Sequence, residues 1–232
     1  MDAVILAAGL GTRLRPYTLT TPKPLLPIKG RPILDWTLGS LPPDVDRVIV
    51  VVNYLAEQIR SYLASQKHVA HWATAEQPEP RGTGDALYAC RHLVRSDRLL
   101  VLNGDDLFGA ADLEALCRVP AGLLAHPVDA PRQFGIVFRK PDGTLDRLVE
   151  KPNLPGPQLA NIGAYLFPRS VLDIPLRLSP RGEYEITDAV SELARHGPFH
   201  VVEARFWYPI STVEAWQRAQ DLELGPVLEQ RR

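Results

Sequence analysis

A continuous apolar run that passes directly into a glycine-rich loop is the feature that most constrains how this 232-residue chain can fold. The run is Ala3-Val4-Ile5-Leu6-Ala7, and glycines follow at positions 9 and 11. Continuous apolar runs with β-branched members are typical of strands that are buried on both faces of a parallel sheet. We therefore predict a central parallel strand that ends in a sharp turn, where glycine lets the backbone approach a bound group closely.

Strands and helices alternate along the rest of the first half. Apolar runs predict strands at residues 48–52 and 99–103, a further short strand is predicted at about residues 71–74, and helices are predicted at residues 32–41, 56–63 and 85–93. This alternation predicts an α/β fold with a Rossmann-like, mostly parallel sheet and helices on both faces. In such folds the ligand lies at the carboxyl ends of the strands.

The pattern changes after about residue 120, where short segments are separated by turn signals such as Pro141-Asp142-Gly143. Strands are predicted at residues 122–125, 135–138, 145–150, 160–167 and 201–204, and helices at residues 186–195 and 213–224. A more antiparallel half, about residues 121–232, is thus predicted to complete the site that an α/β half, about residues 1–120, begins. Since neither a repeat nor a flexible linker separates the halves, we predict one domain over residues 1–232.

Charge and hydropathy exclude several classes of function. Lys and Arg number 26 against 27 Asp and Glu, so no global field attracts nucleic acid or anionic lipid. No apolar run is long enough to cross a bilayer, and the N-terminus lacks the basic region of a signal peptide. We therefore expect a cytoplasmic protein with no nucleic-acid or membrane partner. Cys90 and Cys117 lie in helix-like segments without zinc spacing and are expected to be reduced thiols.

A lysine held between prolines follows the glycine loop. Pro22 and Pro24 restrict the backbone on both sides of Lys23 and exclude a regular helix, which predicts a stiff extended loop beside the glycines. Only 5 of the 26 basic residues are lysines, so this one is predicted to be functional rather than a solvated surface charge. The glycine loop alone is less specific. It lacks both the Gly-Lys-Ser/Thr of a P-loop and the third glycine of the dinucleotide fingerprint, and a surface turn fits it equally well.

Several short motifs follow one another from residue 3 to about residue 190. They are Leu6-Ala7-Ala8-Gly9-Leu10-Gly11-Thr12-Arg13, Pro22-Lys23-Pro24-Leu25, Gln77 with Gly82-Thr83-Gly84-Asp85-Ala86, Asn103-Gly104-Asp105, Gly135, Glu150-Lys151-Pro152, Asn161-Ile162-Gly163-Ala164-Tyr165 and Glu183-Tyr184-Glu185-Ile186-Thr187-Asp188. In this order they resemble the signature of the sugar-1-phosphate nucleotidylyltransferases, the pyrophosphorylases that make nucleotide sugars. Each motif alone is weak, but an ordered series of this length is specific.

The resemblance implies transfer of a nucleotidyl group from a nucleoside triphosphate to a sugar 1-phosphate, with release of pyrophosphate. Arg13 would neutralise the triphosphate, Lys23 would meet the α-phosphate or the sugar phosphate, and Asp105 would bind Mg²⁺, a hard cation that takes carboxylate oxygens. The implied nucleotide-binding residues are Leu6, Ala7, Ala8, Gly9, Gly11, Thr12, Gln77, Gly82 and Thr83. Without the resemblance, Asp105 fits a turn residue equally well.

Further positions imply the base and the sugar site. Gln77 resembles the family glutamine that pairs with uracil or thymine through one donor and one acceptor, which favours UTP or dTTP. The residues implied to bind the sugar 1-phosphate are Gly135, Glu150, Lys151 and Asn161. The alternative for Glu150 and Lys151 is an exposed ion pair that contributes little. The sequence favours neither a monomer nor a homo-oligomer.

One segment departs from the family pattern. Many members carry a metal-binding Asp within a segment resembling Trp-x-Asp-x-Gly-Thr, whereas this chain has Trp207-Tyr208-Pro209-Ile210-Ser211-Thr212. Pro209 has no side-chain ligand, so a shifted residue, or substrate and water, would complete the Mg²⁺ shell. A second function is therefore also open, that of a regulatory homologue that binds nucleotide sugars with weak turnover or none. Because the chain ends soon after its last predicted helix, we expect no β-helix acyltransferase domain.

Overall fold

The computed structural model describes residues 1–228, which form thirteen β-strands and seven α-helices. The strands are β1 (Asp2–Leu6), β2 (Pro27–Ile28), β3 (Arg31–Pro32), β4 (Arg47–Val52), β5 (His71–Glu76), β6 (Arg98–Asn103), β7 (Asp106–Phe108), β8 (Gly122–Val128), β9 (Gly135–Arg139), β10 (Leu145–Glu150), β11 (Gln158–Pro168), β12 (His200–Glu203) and β13 (Trp207–Pro209). The helices are α1 (Ile33–Ser40), α2 (Ala56–Ser65), α3 (Thr83–Ala89), α4 (Ala110–Cys117), α5 (Ile186–His196), α6 (Val213–Ala219) and α7 (Gly225–Leu228). Short 3₁₀ helices lie at Thr12–Leu14, Tyr17–Leu19, Lys23–Leu25, Pro131–Gln133 and Arg169–Asp173.

Nine of these strands build one sheet that runs through both halves of the chain. Strands β6, β1, β4 and β5 lie side by side in this order and are mutually parallel, so that Leu6 of β1 is level with Asn103 of β6. The chain passes from β1 to β4 and β5 on one side and then returns to β6 on the other side. The carboxyl ends of β1 and β6 therefore frame the switch point at which ligands bind in doubly wound sheets.

Mainly antiparallel strands extend the sheet beyond β6. Strand β11 pairs antiparallel with β6, β8 and β9, and β10 pairs antiparallel with β9, while β12 is parallel to β8. Two small sheets, β2–β3 and β7–β13, lie outside the main sheet. The α/β class is confirmed, and the structure also shows the predicted change to mainly antiparallel pairing after about residue 120.

Alternate side chains of the parallel strands fill two separate cores. Ala3 and Ile5 of β1 pack in a cluster with residues of α1, α2 and α4, whereas Val4 packs in a cluster with residues of α3 and α5. All three side chains are fully buried. Strands β1, β4 and β6 are apolar runs rather than alternating ones because helices cover both faces of the sheet there.

A third core joins the end of the described chain to the segment after the glycine loop. Leu14, Ile28 and Trp36 pack in this core with Ile210 and Leu224. Because the Lys23 turn lies in the sequence between Leu14 and Ile28, this core holds both ends of the loop that carries the lysine.

Some elements differ from the prediction. Helix α4 and the β7–β13 pair were not predicted, and the predicted helix over 213–224 ends at Ala219. Cys90 follows the end of α3 instead of lying inside a helix, but both cysteines are free thiols, as predicted. Burial raises the pKa of the Cys90 thiol to about 12. Within residues 1–228, no helix is both long and apolar enough to cross a membrane.

Asp2 fastens the start of β1 to the neighbouring elements. Its carboxylate accepts hydrogen bonds from Arg47 Nε at 3.0 Å and from the backbone N–H groups of Arg95 at 2.7 Å and Ser96 at 3.0 Å. Burial by itself raises the pKa of Asp2, but the Arg47 side chain and the two N–H groups together lower it to about 2. The ionised carboxylate therefore stabilises the folded state.

We expect the substitution Asp2→Asn to lower the free energy of unfolding at pH 7 by about 2 kcal/mol. Because the pKa in the folded state lies below the unfolded value of 3.8, the stabilisation is fully present above that value and is lost as the pH falls toward about 2. Urea unfolding of both proteins at pH 7 and pH 3 measures the difference. The exposed Asp146, substituted in the same way, is the control. A difference between wild type and Asp2→Asn that does not shrink at pH 3 would contradict this assignment.

Candidate active site

A cavity of about 300 Å³ lies at the carboxyl ends of β1 and β6. Nine of the residues that the family resemblance implied line it, namely Leu6, Ala7, Ala8, Gly9, Lys23, Gln77, Gly82, Thr83 and Asp105. The lining is completed by Pro24, Pro80, Ala86, Asn103, Gly104 and Glu183. The volume and the mixture of apolar surface with a few polar groups are typical of a small-molecule site.

The ends of β1 and β6 approach each other closely beside this cavity. The Gly104 N–H donates to the Leu6 carbonyl at 2.9 Å, and a Cβ atom on Gly104 would lie 2.8 Å from the same oxygen. A side chain at position 104 would therefore force the strands apart. Asp105 follows this contact and lines the cavity with a side chain that is 40% exposed.

Lys23 brings a nearly buried cation to the cavity. The residue is 7% exposed, and its Nζ lies 2.5 Å from Oδ2 of Asp105. The predicted extended loop is wrong, because Lys23 begins one turn of 3₁₀ helix that is closed by a 2.8 Å hydrogen bond from the Leu25 N–H to the Pro22 carbonyl. Extended backbone ends at Pro22, and the fixed φ of Pro24 is compatible with a 3₁₀ turn. The turn and the ion pair together fix where the ammonium group lies.

The remaining residues of the glycine loop lie outside the cavity lining. Gly11 has φ +60°, and a Cβ atom there would lie 2.9 Å from Thr18 Cγ2 and 3.3 Å from Lys23 Cβ, so glycine lets the loop pack against the lysine. Thr12 and Arg13 are exposed in the 3₁₀ helix that follows. Within residues 1–228, the Arg13 guanidinium has no hydrogen-bond or ion-pair partner. It is free to meet an anion, and its role at the triphosphate stays a prediction.

Gln77 is 3% exposed, and its amide nitrogen is engaged within the protein. Nε2 donates to Oδ2 of Asp85 at 2.9 Å and to the Gly82 carbonyl at 3.0 Å. An amide carries two N–H donors, so the side-chain oxygen is the group left to face a ligand. The sequence analysis expected Gln77 to pair with a base through one donor and one acceptor. Only the acceptor oxygen is left for that pairing.

The loop that carries Gly82 and Thr83 is bound to a segment of the second half of the chain. The Gly84 N–H donates to the Tyr184 carbonyl at 2.8 Å, and the Ile186 N–H donates to Thr83 Oγ1 at 3.1 Å. Gly82 has φ +114°, and a Cβ atom there would lie 2.4 Å from the Tyr184 carbonyl oxygen. These contacts hold the Gly82 loop of the first half of the chain against the second half.

A second carboxyl group, which the sequence analysis did not single out, follows Asp105. Asp106 is 7% exposed, and burial, with a further contribution from the charge of Asp105, raises its pKa well above the usual range. In the antiparallel β7–β13 pair, Asp106 lies directly opposite Pro209. Pro209 has no side-chain ligand, but a carboxyl group faces it from the neighbouring strand. The available signal was the second of two consecutive aspartates after a buried strand.

The predicted sugar-phosphate residues lie on the antiparallel strands or, for Lys151, directly after one of them, outside the cavity lining. Gly135 of β9 is paired with Glu150 of β10, and a Cβ atom on Gly135 would lie 2.9 Å from Glu150 Oε2. Lys151 Nζ lies 3.9 Å from Glu150 Oε1, and its side chain is exposed. Asn161 of β11 donates from Nδ2 to the Tyr165 hydroxyl at 2.8 Å. The structure brings Gly135, Glu150 and Lys151 together, and the roles of all four residues stay predictions.

Arg181 is a cation beside this cluster that the sequence analysis missed. One guanidinium nitrogen lies 3.1 Å from Glu150 Oε1, and another lies 2.7 Å from Glu185 Oε2. The guanidinium group therefore links the predicted sugar site to the segment that binds the Gly82 loop. The available signal was its position two residues before Glu183, where the last motif begins.

Comparison with known proteins decides the family. Residues 2–224 match the family described as nucleotidyl transferase. The UTP–glucose-1-phosphate uridylyltransferase AglF of Haloferax volcanii is 31% identical over 237 residues, which cover 95% of this chain and 97% of that protein. The chain belongs to the sugar-1-phosphate nucleotidyltransferase family.

Further similar proteins carry names that agree with this family. The bifunctional protein GlmU of Methanocaldococcus jannaschii is 36% identical over 197 residues, or 84% of this chain and 47% of GlmU. The chain thus spans about half the length of the GlmU proteins that it matches. A crystal structure from Bacillus anthracis, named as a glucose-1-phosphate thymidylyltransferase in complex with sucrose, superposes with a TM-score of 0.83 at 28% identity and covers 99% of both chains. The resemblance that the ordered motifs indicated is therefore confirmed.

Proposed function

We propose that this nucleotidyltransferase transfers a nucleotidyl group from UTP or dTTP to a sugar 1-phosphate and releases pyrophosphate. One observation carries the proposal: the nearly buried Lys23 ammonium, 2.5 Å from the carboxylate of Asp105, lines a cavity at the switch point of the sheet. Transfer of this kind depends mainly on positioning and on the neutralisation of phosphate charge. A cation fixed by a turn and an ion pair supplies both without moving during the reaction.

The proposed reaction is a single in-line displacement. A phosphate oxygen of the sugar 1-phosphate attacks the α-phosphorus, and the bond from that phosphorus to the oxygen of the leaving pyrophosphate breaks. Lys23 neutralises charge on the α-phosphate, and the exposed Arg13 approaches the triphosphate. The sugar 1-phosphate is bound by residues on or directly after the antiparallel strands, namely Gly135, Glu150, Lys151 and Asn161.

Mg²⁺ fits the donor set at Asp105. The Asp105 carboxylate is a hard oxygen ligand that lines the cavity and is 40% exposed, so one side of it is open to a cation and its waters. Mg²⁺ commonly binds through one or two carboxylates and keeps several waters, so the loss of a ligand at Pro209 is compatible with binding. When bound, Mg²⁺ would neutralise charge on the substrate phosphates.

Pyrophosphate release by the purified protein with Mg²⁺ tests the proposed function. UTP, dTTP, ATP, GTP and CTP are each combined with a panel of sugar 1-phosphates. We expect turnover with UTP or dTTP and at least one sugar 1-phosphate. Absence of turnover with every pair, together with calorimetric binding of a nucleotide sugar, would overturn the proposal and favour the regulatory homologue that Pro209 leaves open.

A further inference from the structure

We propose that Asp85 makes the site select uracil or thymine over cytosine, because it holds the Gln77 amide with only its oxygen facing the nucleotide. Asp85 is thus a positioning residue that acts through Gln77. The inference rests on the proposed function, since it assumes that the base lies against Gln77.

The surroundings of the Gln77 amide permit one orientation. Its Nε2 lies 2.9 Å from a carboxylate oxygen of Asp85 and 3.0 Å from the carbonyl oxygen of Gly82. Both neighbours are acceptors only, so turning the amide over would place its oxygen against two other oxygens. At 3% exposure no water replaces the lost hydrogen bonds, which makes the reversed orientation costly.

Asp85 is itself held in place. Its Oδ1 accepts a hydrogen bond from Arg81 at 3.0 Å, while Oδ2 accepts from Gln77. The Asp85 side chain is 14% exposed, and that of Arg81 is 56% exposed. The carboxylate therefore has one oxygen for each partner, and Oδ2 fixes the glutamine.

A fixed acceptor distinguishes bases by whether ring position N3 carries a proton. Uracil and thymine carry an N–H at ring position N3, which can donate to Oε1 of Gln77. Cytosine carries a lone pair at N3, which would face the Gln77 oxygen without a proton between them. One wrongly paired polar group of this kind gives a discrimination of about 10-fold or more.

Calorimetric affinities for UTP and CTP, and kcat/KM for both nucleotides with one sugar 1-phosphate, test the inference. We expect wild type to bind UTP at least about 10-fold more tightly than CTP. In Asp85→Leu the amide keeps only the Gly82 carbonyl as an acceptor, so its N–H can turn toward cytosine, and we expect the ratio to fall to within about 3-fold. Asp85→Ala is a smaller change and serves as a second variant in case the leucine variant does not fold. We expect it to give the same fall in the ratio.

The conservative variant separates positioning from general damage. Asp85→Asn keeps one oxygen, which stays on the buried Gln77 while the exposed Arg81 turns toward solvent, so the ratio remains near that of wild type. Asp146→Leu, an exposed aspartate on β10 that pairs with Arg147, is the matched control and leaves the ratio unchanged.

The possible outcomes distinguish this inference from the proposed function. Equal affinity of wild type for UTP and CTP, or an unchanged ratio in Asp85→Leu and Asp85→Ala, overturns the role of Asp85 even if the enzyme turns over. Selective binding of UTP that is lost in those variants supports the role of Asp85, even if no sugar 1-phosphate reacts. No binding of either nucleotide overturns the inference and the proposed function together.

Discussion

Replacing Lys23 with alanine is expected to lower the rate of pyrophosphate release about 100- to 1,000-fold, the usual cost of removing one fixed donor at a transition-state charge. Lys23 is 7% exposed, and its ammonium group is held beside Asp105 before substrate arrives. A mobile surface lysine would first have to lose side-chain entropy to reach the same place. Most of the loss should therefore appear in kcat, because the charge on the reacting phosphate changes as the transition state forms.

Steady-state kinetics of Lys23→Ala with saturating UTP or dTTP measures this effect. The exposed Lys67, replaced by alanine, is the matched control and should leave the rate unchanged. Thermal unfolding checks that the Lys23 variant is folded. We expect it to fold because the carboxylate of Asp105 is 40% exposed and can be hydrated when the lysine is gone. A rate within a factor of about two of wild type would contradict the role of Lys23 at the α-phosphate.

The first half of the fold was predictable from sequence because three of its strands, β1, β4 and β6, are buried on both faces. That burial leaves unbroken apolar runs such as Val48–Val52 in β4, and only helices of ordinary length separate them. The β7–β13 pair was not predictable. Each of its strands has three residues, too few for a period of two to be recognised, and about a hundred residues separate the partners in sequence.

The residues of the candidate site also divide into those that the sequence analysis found and those that it missed. Lys23 was found because two prolines flank it beside the glycine loop, and Asp105 was found through the family resemblance of the motif that follows a predicted strand. Arg181 and Asp106 were missed because their significance depends on partners that are distant in sequence, Glu150 in one case and Pro209 in the other. Local patterns report neither a long-range ion pair nor the register of a short sheet.

Introducing a single methyl group at Gly82 is expected to lower the free energy of unfolding by about 2–5 kcal/mol, through backbone strain and overpacking together. Gly82 has φ 114° and ψ 171°, a region that is almost exclusive to glycine. The new Cβ atom would also lie 2.4 Å from the Tyr184 carbonyl oxygen, which belongs to the backbone and cannot turn aside. For a chain of this size the loss corresponds to a fall of roughly 5–15 °C in Tm.

Comparing the thermal unfolding of Gly82→Ala with that of Gly143→Ala separates the effect of the steric clash with Tyr184 from the effect of backbone strain. Gly143 also has a positive φ, +83°, but no atom lies within 4 Å of a Cβ atom placed there, so its variant should lose only about 1 kcal/mol. The Gly82 variant should in addition bind UTP at least about 10-fold more weakly, because the Gly82 carbonyl is one of the two acceptors that hold Gln77. Equal Tm values for the two variants would show that the loop moves away from Tyr184 at little cost. The contact between the two halves of the site would then be too soft to position the base.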